Sequence, residues 1–275
     1  MVRSLWTAAS GMNAQQTNVD TIANNLANVN SAGYKAQSAK FKSLLYQELK
    51  TKTVQTTGSP VNSDVGLGVR VSSINQFFTQ GNLQDNDSSS AFAIQGDGFF
   101  AYSTDAQDLN QNNIRYTRNG NFVWALTDQN TLELTTSEGN PVLGVDGNAL
   151  VVNDETVKAS DITCDADGNL YYLDANQERQ DIGTIALFQF RNAEGLERIG
   201  DTSFMQTMAS GAALPEATTQ GIRRSTVVQG YLEGSNVNVA TEMVNLIVAQ
   251  RAYEMNSTAI TTTDEMMQTA NGLKR

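Results

Sequence analysis

Two short glycine-containing stretches, residues 96–101 and 165–169, have residue types and spacings that could bind a ligand. The first matches the loose dinucleotide-binding pattern Gly-x-Gly-x-x-Ala, in which glycines let the backbone approach a pyrophosphate. That pattern requires a strand before the loop and a helix after it, whereas the residues that follow here are typical of a strand. We therefore predict a tight turn ahead of a buried pair, Phe99 and Phe100.

The second stretch resembles the start of a calcium-binding loop, with Asp165 and Asp167 preceding Gly168. An EF-hand loop places its glycine at position six, which would put Thr163 at position one, where a carboxylate is needed. A hairpin turn is the better interpretation, and we predict no metal site.

Residues needed for several common catalytic sites are missing from the sequence. The chain has no histidine, which excludes a Ser-His-Asp or Cys-His arrangement and a histidine-ligated zinc site. The single cysteine, Cys164, cannot form an intramolecular disulfide and lies in no metal-binding spacing. Carboxylates are numerous enough for a glycosidase-type pair, but nothing singles one out. We predict no catalytic residue and no cofactor, and a protein that is not an enzyme.

Length and charge narrow the class of protein further. The chain has 275 residues, enough for one large or two medium domains, and a net charge of −11. The acidic excess lies in the middle of the chain, which argues against nucleic acid and anionic membrane surfaces as partners. No apolar run approaches the ~20 residues that span a bilayer, so no membrane insertion is predicted. The first residues lack an apolar segment followed by a cleavage site, which predicts the absence of a cleaved signal peptide.

Both ends of the chain carry apolar residues at spacings of three and four, typical of helices that pack lengthwise on another helix. We predict one helix from about Ser4 to Val29 and another within residues 235–275. Each could instead be an ordinary amphipathic helix on the surface of one globular domain. The predicted subunit-packing residues are Leu5, Met12, Val19, Ile22, Leu26, Val239, Met243, Leu246, Tyr253, Ile260 and Met267.

Neither helix is strong by intrinsic propensity, because both are rich in asparagine, threonine or serine. Each Asn or Thr costs up to ~0.7 kcal/mol relative to Ala in a helix. A lone pair of such helices should be marginal in water. We therefore hypothesise that the chain ends are largely disordered in the free subunit and fold when copies of the chain assemble.

Between the helices the apolar period changes to two. Short runs typical of strands begin at residues 69, 92, 99, 121, 149, 170 and 185. Asp-Gly, Asn-Gly and Glu-Gly pairs that end at Gly98, Gly120, Gly139, Gly147 and Gly168 separate many of them and supply the positive φ that tight hairpins require.

The predicted fold class is therefore α+β, with terminal helices that form a coiled-coil-like stalk and an inserted antiparallel β-rich domain. Residues 1–33 and 235–275 form the helical ends. Residues 34–68 contain a linking helix, followed from residue 50 by an extended arm, and residues 69–234 form the β-rich domain.

Four stretches of the sequence resemble bacterial flagellar rod and hook proteins. They are residues 23–35, residues 94–100, residues 116–122, and residues 229–254. Within that family the first six residues, residues 44–47 and the chain length are most similar to distal rod members. The motif residues singled out are Asn24, Asn25, Leu26, Ala27, Asn28, Gly33, Gly96, Gly98 and Phe99.

The resemblance implies a structural subunit of a hollow helical drive shaft in the flagellar basal body, which carries motor torque to the hook and encloses the export channel. It implies a helical homo-polymer that spans the periplasm and cell wall. Proximal rod and hook subunits, the flagellar type III export apparatus and, where an outer membrane exists, a ring bushing are the implied partners. The alternatives are another rod or hook subunit, or a secreted β-rich oligomeric binding module.

The sequence alone does not decide the roles of the motif asparagines and of the extended arm. Asn24, Asn25 and Asn28 could satisfy backbone groups at the helix end or bridge subunits. The arm at residues 50–68 could lock one subunit to another and keep the shaft straight, or it could be a disordered loop.

Overall fold

A computed structural model describes residues 2–48, 64–105, 113–127, 131–154, 157–174 and 177–273. The chain forms two compact units. The helical unit consists of Met1–Ala27, Gln37–Gln76 and Asn238–Arg275, and the β-rich unit consists of Asn28–Ala36 and Phe77–Val237.

Two long helices at the chain ends dominate the helical unit and confirm the prediction for both termini. Helix α1 spans Val2–Ala27 and helix α2 spans Val239–Gly272, and the two pack against each other. Asn238 caps α2, because its side chain accepts a hydrogen bond of 3.1 Å from the Thr241 amide. Gly11 lies against the Asn256 side chain, where an added Cβ would be 2.9 Å from Nδ2.

Among the described residues, neither helix has the length and apolar character that crossing a membrane requires.

The linking helix predicted after residue 34 is wrong, because the chain forms strands there. Strands β1 (Gln37–Ser43), β2 (Tyr46–Glu48), β3 (Asp64–Gly66) and β4 (Val69–Gln76) form two antiparallel pairs, β1 with β4 and β2 with β3. In β1, Ala39 and Phe41 alternate with Lys40 and Lys42, which is the period of a strand rather than of a helix. Strand β4, predicted to open the β-rich domain, lies in the helical unit. Residues 50–63 of the predicted arm lie outside the described residues.

Asn25 joins the end of α1 to the start of β1. Its side chain is fully buried. Its Nδ2 donates to the Gln37 carbonyl oxygen at 2.8 Å, and its Oδ1 accepts from the Gln37 amide at 2.9 Å. Of the two roles left open for the motif asparagines, Asn25 therefore satisfies backbone groups.

The β-rich unit is built from short antiparallel strands, as predicted. They are β5 (Leu83–Asp85), β6 (Phe92–Gln95), β7 (Phe99–Ser103), β8 (Ile114–Thr117), β9 (Phe122–Leu126), β10 (Leu132–Thr136), β11 (Val151–Val152), β12 (Ile162–Cys164), β13 (Asn169–Leu173), β14 (Arg179–Thr184), β15 (Leu187–Gln189), β16 (Glu197–Gly200), β17 (Ser203–Met205), β18 (Leu214–Pro215), β19 (Thr226–Gln229) and β20 (Tyr231–Glu233). The largest sheet has the order β16-β17-β8-β7-β15-β18. Two three-stranded sheets, β11-β10-β9 and β12-β13-β14, and the pairs β19-β6 and β20-β5 complete the unit.

Successive residues of β7 supply two separate hydrophobic cores. Phe100 packs in one core with Phe92 and Phe122, whereas Phe99 packs in the other with Tyr116 and Phe204. Side chains alternate between the faces of a strand, so adjacent aromatic residues anchor opposite sides of the sheet. The predicted burial of Phe99 and Phe100 is confirmed.

The turn glycines have two different physical roles. Gly139, Gly147 and Gly168 have positive φ, as the sequence predicted, and residues 165–168 form the turn between β12 and β13. For Gly98 and Gly120 the predicted positive φ is wrong. These two glycines permit a close approach instead: a Cβ on Gly98 would lie 2.6 Å from Glu216 Oε1, and one on Gly120 would overlap the Phe92 carbonyl oxygen.

Candidate functional site

The predicted packing residues do not form one continuous seam within the chain. On α1, Ile22 is buried, while Leu5, Met12, Val19 and Leu26 are half-buried. On α2, Leu246, Ile260 and Met267 are half-buried, but Val239, Met243 and Tyr253 are 40%, 52% and 40% exposed.

The first half of α2 presents further apolar side chains to solvent. Val244, Ile247, Val248 and Met255 are all more than half exposed. The side of α2 with reduced exposure carries Leu246, Ile260 and Met267 together with small or polar residues, including Ala249, Asn256 and Thr263. A single chain thus leaves much of the apolar surface of α2 in water, which is unfavourable by roughly 25 cal/mol per Å² of apolar area.

The motif asparagines have different environments. Asn24 and Ala27 are exposed, Leu26 and Asn28 are half-buried, and only Asn25 is fully buried. In the β-rich unit, the Ser31 hydroxyl donates to Asn28 Oδ1 at 3.1 Å.

The most unusual chemical feature of the β-rich unit is a buried ion triad of Lys35, Arg118 and Glu233. Lys35 Nζ lies 2.6 Å from Glu233 Oε1, and Arg118 Nη1 lies 3.3 Å from Glu233 Oε2. The side chains of Lys35 and Glu233 are 0% exposed and that of Arg118 is 1% exposed. Charged side chains are almost never buried unless they are paired, because each loses several kcal/mol of hydration.

Neutral groups and an aromatic ring also contact the triad. The Gly81 amide donates to Glu233 Oε1 at 2.9 Å, and Lys35 Nζ donates to the Thr79 carbonyl oxygen at 2.8 Å. The Arg118 guanidinium carbon lies 5.0 Å from the centre of the Phe99 ring, which is a cation–π contact. The triad is thereby connected to the core around Phe99.

Burial and pairing act on Lys35 in opposite directions. Burial lowers the pKa of Lys35 below its ordinary value of 10.5, whereas the adjacent Glu233 carboxylate raises it. The Lys35 cation therefore depends on Glu233 for its stability in the interior.

Asn236 lies beside the triad and bonds to two other chain segments. Its Oδ1 accepts from the Ala36 amide at 2.7 Å. Its Nδ2 donates to the Phe77 carbonyl at 2.9 Å and lies 3.1 Å from the carbonyl and 2.8 Å from the hydroxyl of Thr79. One amide side chain therefore holds residues from positions 36, 77 and 79 together.

Gly96 lies against Ser225, and Gly98 lies against both Ser225 and a second buried carboxylate, that of Glu216. Glu216 is 4% exposed, and its two oxygens accept from the Ser225 hydroxyl at 2.8 Å and the Ser225 amide at 2.6 Å. The Ser225 hydroxyl oxygen accepts from the Gly98 amide at 3.0 Å. The motif glycines thus leave space for Ser225 and Glu216, which is a structural role.

Cys164 is not poised for nucleophilic chemistry. Burial raises the pKa of its thiol to about 12, with a further contribution from Asp165. At neutral pH the thiol is therefore protonated, and the thiolate is the reactive form.

The ion triad was not predicted from the sequence. Lys35, Arg118 and Glu233 lie in three different stretches that carry the family resemblance, but no spacing rule relates positions so far apart. A signal was present: each of these stretches places a charged residue among glycine, asparagine and aromatic residues. Gly33, which was singled out, lies at the same place, because its amide donates to the Glu233 carbonyl at 2.7 Å.

We expect replacement of Glu233 by Gln to lower the free energy of unfolding by about 3–5 kcal/mol, because it leaves two buried cations without a carboxylate. Urea unfolding of the full chain, followed by Trp124 fluorescence in a Trp6→Phe background, measures this. The loss in a Lys35→Met/Glu233→Gln double variant should be smaller than the sum of the two single losses.

The matched control is Asp181→Asn, which removes the carboxylate from the exposed Arg179–Asp181 pair. Exposed pairs contribute about 1 kcal/mol or less. If Glu233→Gln is as mild as Asp181→Asn, the triad does not hold the unit together.

Comparison with known proteins places the whole chain among flagellar rod proteins. Residues 5–35 match the family model "Flagella basal body rod protein", residues 93–172 match "Flagellar hook protein FlgE/F/G D1 domain", and residues 228–273 match "Flagellar basal body rod FlgEFG protein C-terminal". The three matched regions contain Lys35, Arg118 and Glu233 respectively.

Full-length relatives agree with the family models. The chain is 42% identical to "Flagellar basal-body rod protein FlgG" of Borreliella burgdorferi, with 100% of both chains covered. It is 39% identical to the protein of that name from Buchnera aphidicola, with 98% of each covered. It is 38% identical to the Caulobacter vibrioides protein, with 99% of this chain and 100% of the relative covered. The chain therefore belongs to the flagellar rod and hook family, in the group of basal-body rod proteins named FlgG.

Proposed function

We propose that this chain is a structural subunit of the flagellar basal-body distal rod. The observation that carries the proposal is the match, over essentially the full length of both chains, to basal-body rod proteins from several species. The subunit polymerises into a hollow helical shaft that transmits motor torque to the hook and encloses the export channel. It acts through packing and not as an enzyme, with no cofactor.

The terminal helices are the proposed inner part of the tube. In this proposal the terminal helices α1 and α2 form a coiled-coil-like stalk, and residues 77–234 of the β-rich unit face outward. The packing of α1 on α2 supports the pairing of the ends. The exposed apolar side chains of α2, among them Met243, Ile247 and Val248, support further burial between copies. A head-to-tail contact that does not close a ring produces a filament.

The proposed partners follow from the position of a distal rod. They are further copies of this chain, proximal rod and hook subunits at the two ends, and a ring bushing where an outer membrane is present. The rod lies in the basal body across the periplasm and cell wall. Its subunits are exported through the flagellar type III export apparatus.

We propose that the arm at residues 50–68 joins one subunit to another and keeps the shaft straight. Strand β3 lies within this arm and pairs with β2, and apolar side chains at Leu45, Tyr46 and Val65 are exposed at this pair of strands.

We expect deletion of residues 50–68 to give polymers that are curved or more flexible in electron micrographs. Deletion polymers as straight as the wild type would reject this role.

Electron microscopy of concentrated protein tests whether the chain forms the proposed tube. A charged substitution on the exposed apolar surface of α2 tests whether that surface lies between subunits. We expect Met243→Glu to abolish tube formation, because burying an unpaired carboxylate between subunits costs several kcal/mol at each contact. The β-rich unit should remain folded, since Met243 is 52% exposed on the helical unit.

The matched control is Met208→Glu, the same substitution at a fully exposed methionine of the β-rich unit. Uniform tubes should form from Met208→Glu and from the wild type. Finite oligomers from the wild type would favour a binding module, and tubes from Met243→Glu would remove this surface from the interface.

A further inference from the structure

The β-rich unit is joined to the rest of the chain at four peptide bonds, after residues 27, 36, 76 and 237. Any force that the rest of the chain exerts on this unit through covalent bonds therefore enters through residues 28–36, 77–82 or 231–237. We call these segments the three passages. The bonds between them determine how the unit responds to load.

The three passages are cross-linked to one another almost at the points where the chain enters and leaves. The Phe77 amide donates to the Ala36 carbonyl at 2.9 Å, and the Asn236 side chain bonds to both of these residues. Ala36, Phe77 and Asn236 lie at most one residue from a connection to the helical unit. No residue in the interior of the unit needs to move before these bonds are loaded.

A second layer of bonds lies a few residues further in. The Gly33 amide donates to the Glu233 carbonyl at 2.7 Å, and the Gly234 amide donates to the Asn82 carbonyl at 2.8 Å. The Glu233 carboxylate accepts from Lys35 and from the Gly81 amide. Its third donor, Arg118, follows β8 and contacts Phe99, so this layer continues into the core.

We propose that Asn236 and Glu233 form a mechanical lock, which makes the three passages share any force applied to one of them. Bonds loaded together must break together, whereas strands loaded one at a time separate in sequence at lower force. The inference rests on the proposed function for its purpose, since a drive shaft must resist torque. Its test needs no polymer, so failure of one is distinguishable from failure of the other.

Single-molecule pulling of the full chain tests the lock directly. Handles on peptide tags beyond residues 1 and 275 load residues 28–36 and 231–237 after the terminal helices extend. We expect one cooperative unfolding event of the β-rich unit in the wild type. Asn236→Ala should reduce the force of that event roughly twofold or split it into smaller steps, because forced unfolding follows the unfolding rate.

The direction of pulling separates a lock from general stability. The same variant is pulled between cysteines placed at Leu126 and Leu173, which are 66% and 60% exposed, in a Cys164→Ser background. A lock predicts a force close to that of the unsubstituted chain in this direction. An equal loss in both directions would show general destabilisation and would overturn the proposal.

Two further variants complete the design. Asn192→Ala is the matched control, because this exposed asparagine bonds to the Ala209 carbonyl away from the three passages. It should leave the terminal-pulling force unchanged. If Asn236→Ala does not fold, Thr79→Val removes only the 2.8 Å bond to the Thr79 hydroxyl and should give a smaller loss in the same direction. Wild-type force in Thr79→Val, and in Asn236→Ala where it folds, would contradict the lock.

Discussion

A single buried carboxylate joins the first, middle and last parts of the β-rich unit. Glu233 lies 198 positions from Lys35 and 115 positions from Arg118 in the chain, yet pairs with both. A charge in the interior is tolerated only when its partners are in place, so the entry, the middle and the exit of the unit must all be folded at once. Breaking the triad leaves an uncompensated charge, which favours cooperative behaviour over local opening.

The helical unit differs, because burial of its apolar side chains is incomplete in a single chain. Its helices are long and rich in polar residues, and much of the apolar surface of α2 faces solvent. The β-rich unit pairs the buried charges of Lys35, Arg118 and Glu233 with one another, whereas the helical unit leaves apolar side chains of α2 exposed in a single chain. This difference is compatible with the proposed function, in which the terminal helices of several copies assemble while the β-rich unit stays folded.

The sequence predicts what repeats over short distances. The terminal helices, most strands and the turn at Gly168 were predictable from period and turn chemistry. The linking helix was wrong because the two-residue alternation around Ala39 and Phe41 is only one strand long. The triad was not predictable, since its members meet only through the fold. The subunit-packing residues remain a prediction, and the exposure of Val239, Met243 and Tyr253 reflects a helix with more than one apolar face.

Hydrogen exchange of the same protein as dilute monomer and as polymer tests whether the terminal helices become stable only when copies assemble. We expect amides of α1 and α2 to exchange about a hundredfold or more faster in the monomer than those of β7, and to become protected on assembly. Amides of β7 should be equally protected in both states. Helices already protected in the monomer to the level of β7, with no change on concentration, would show that they are stable without neighbouring copies.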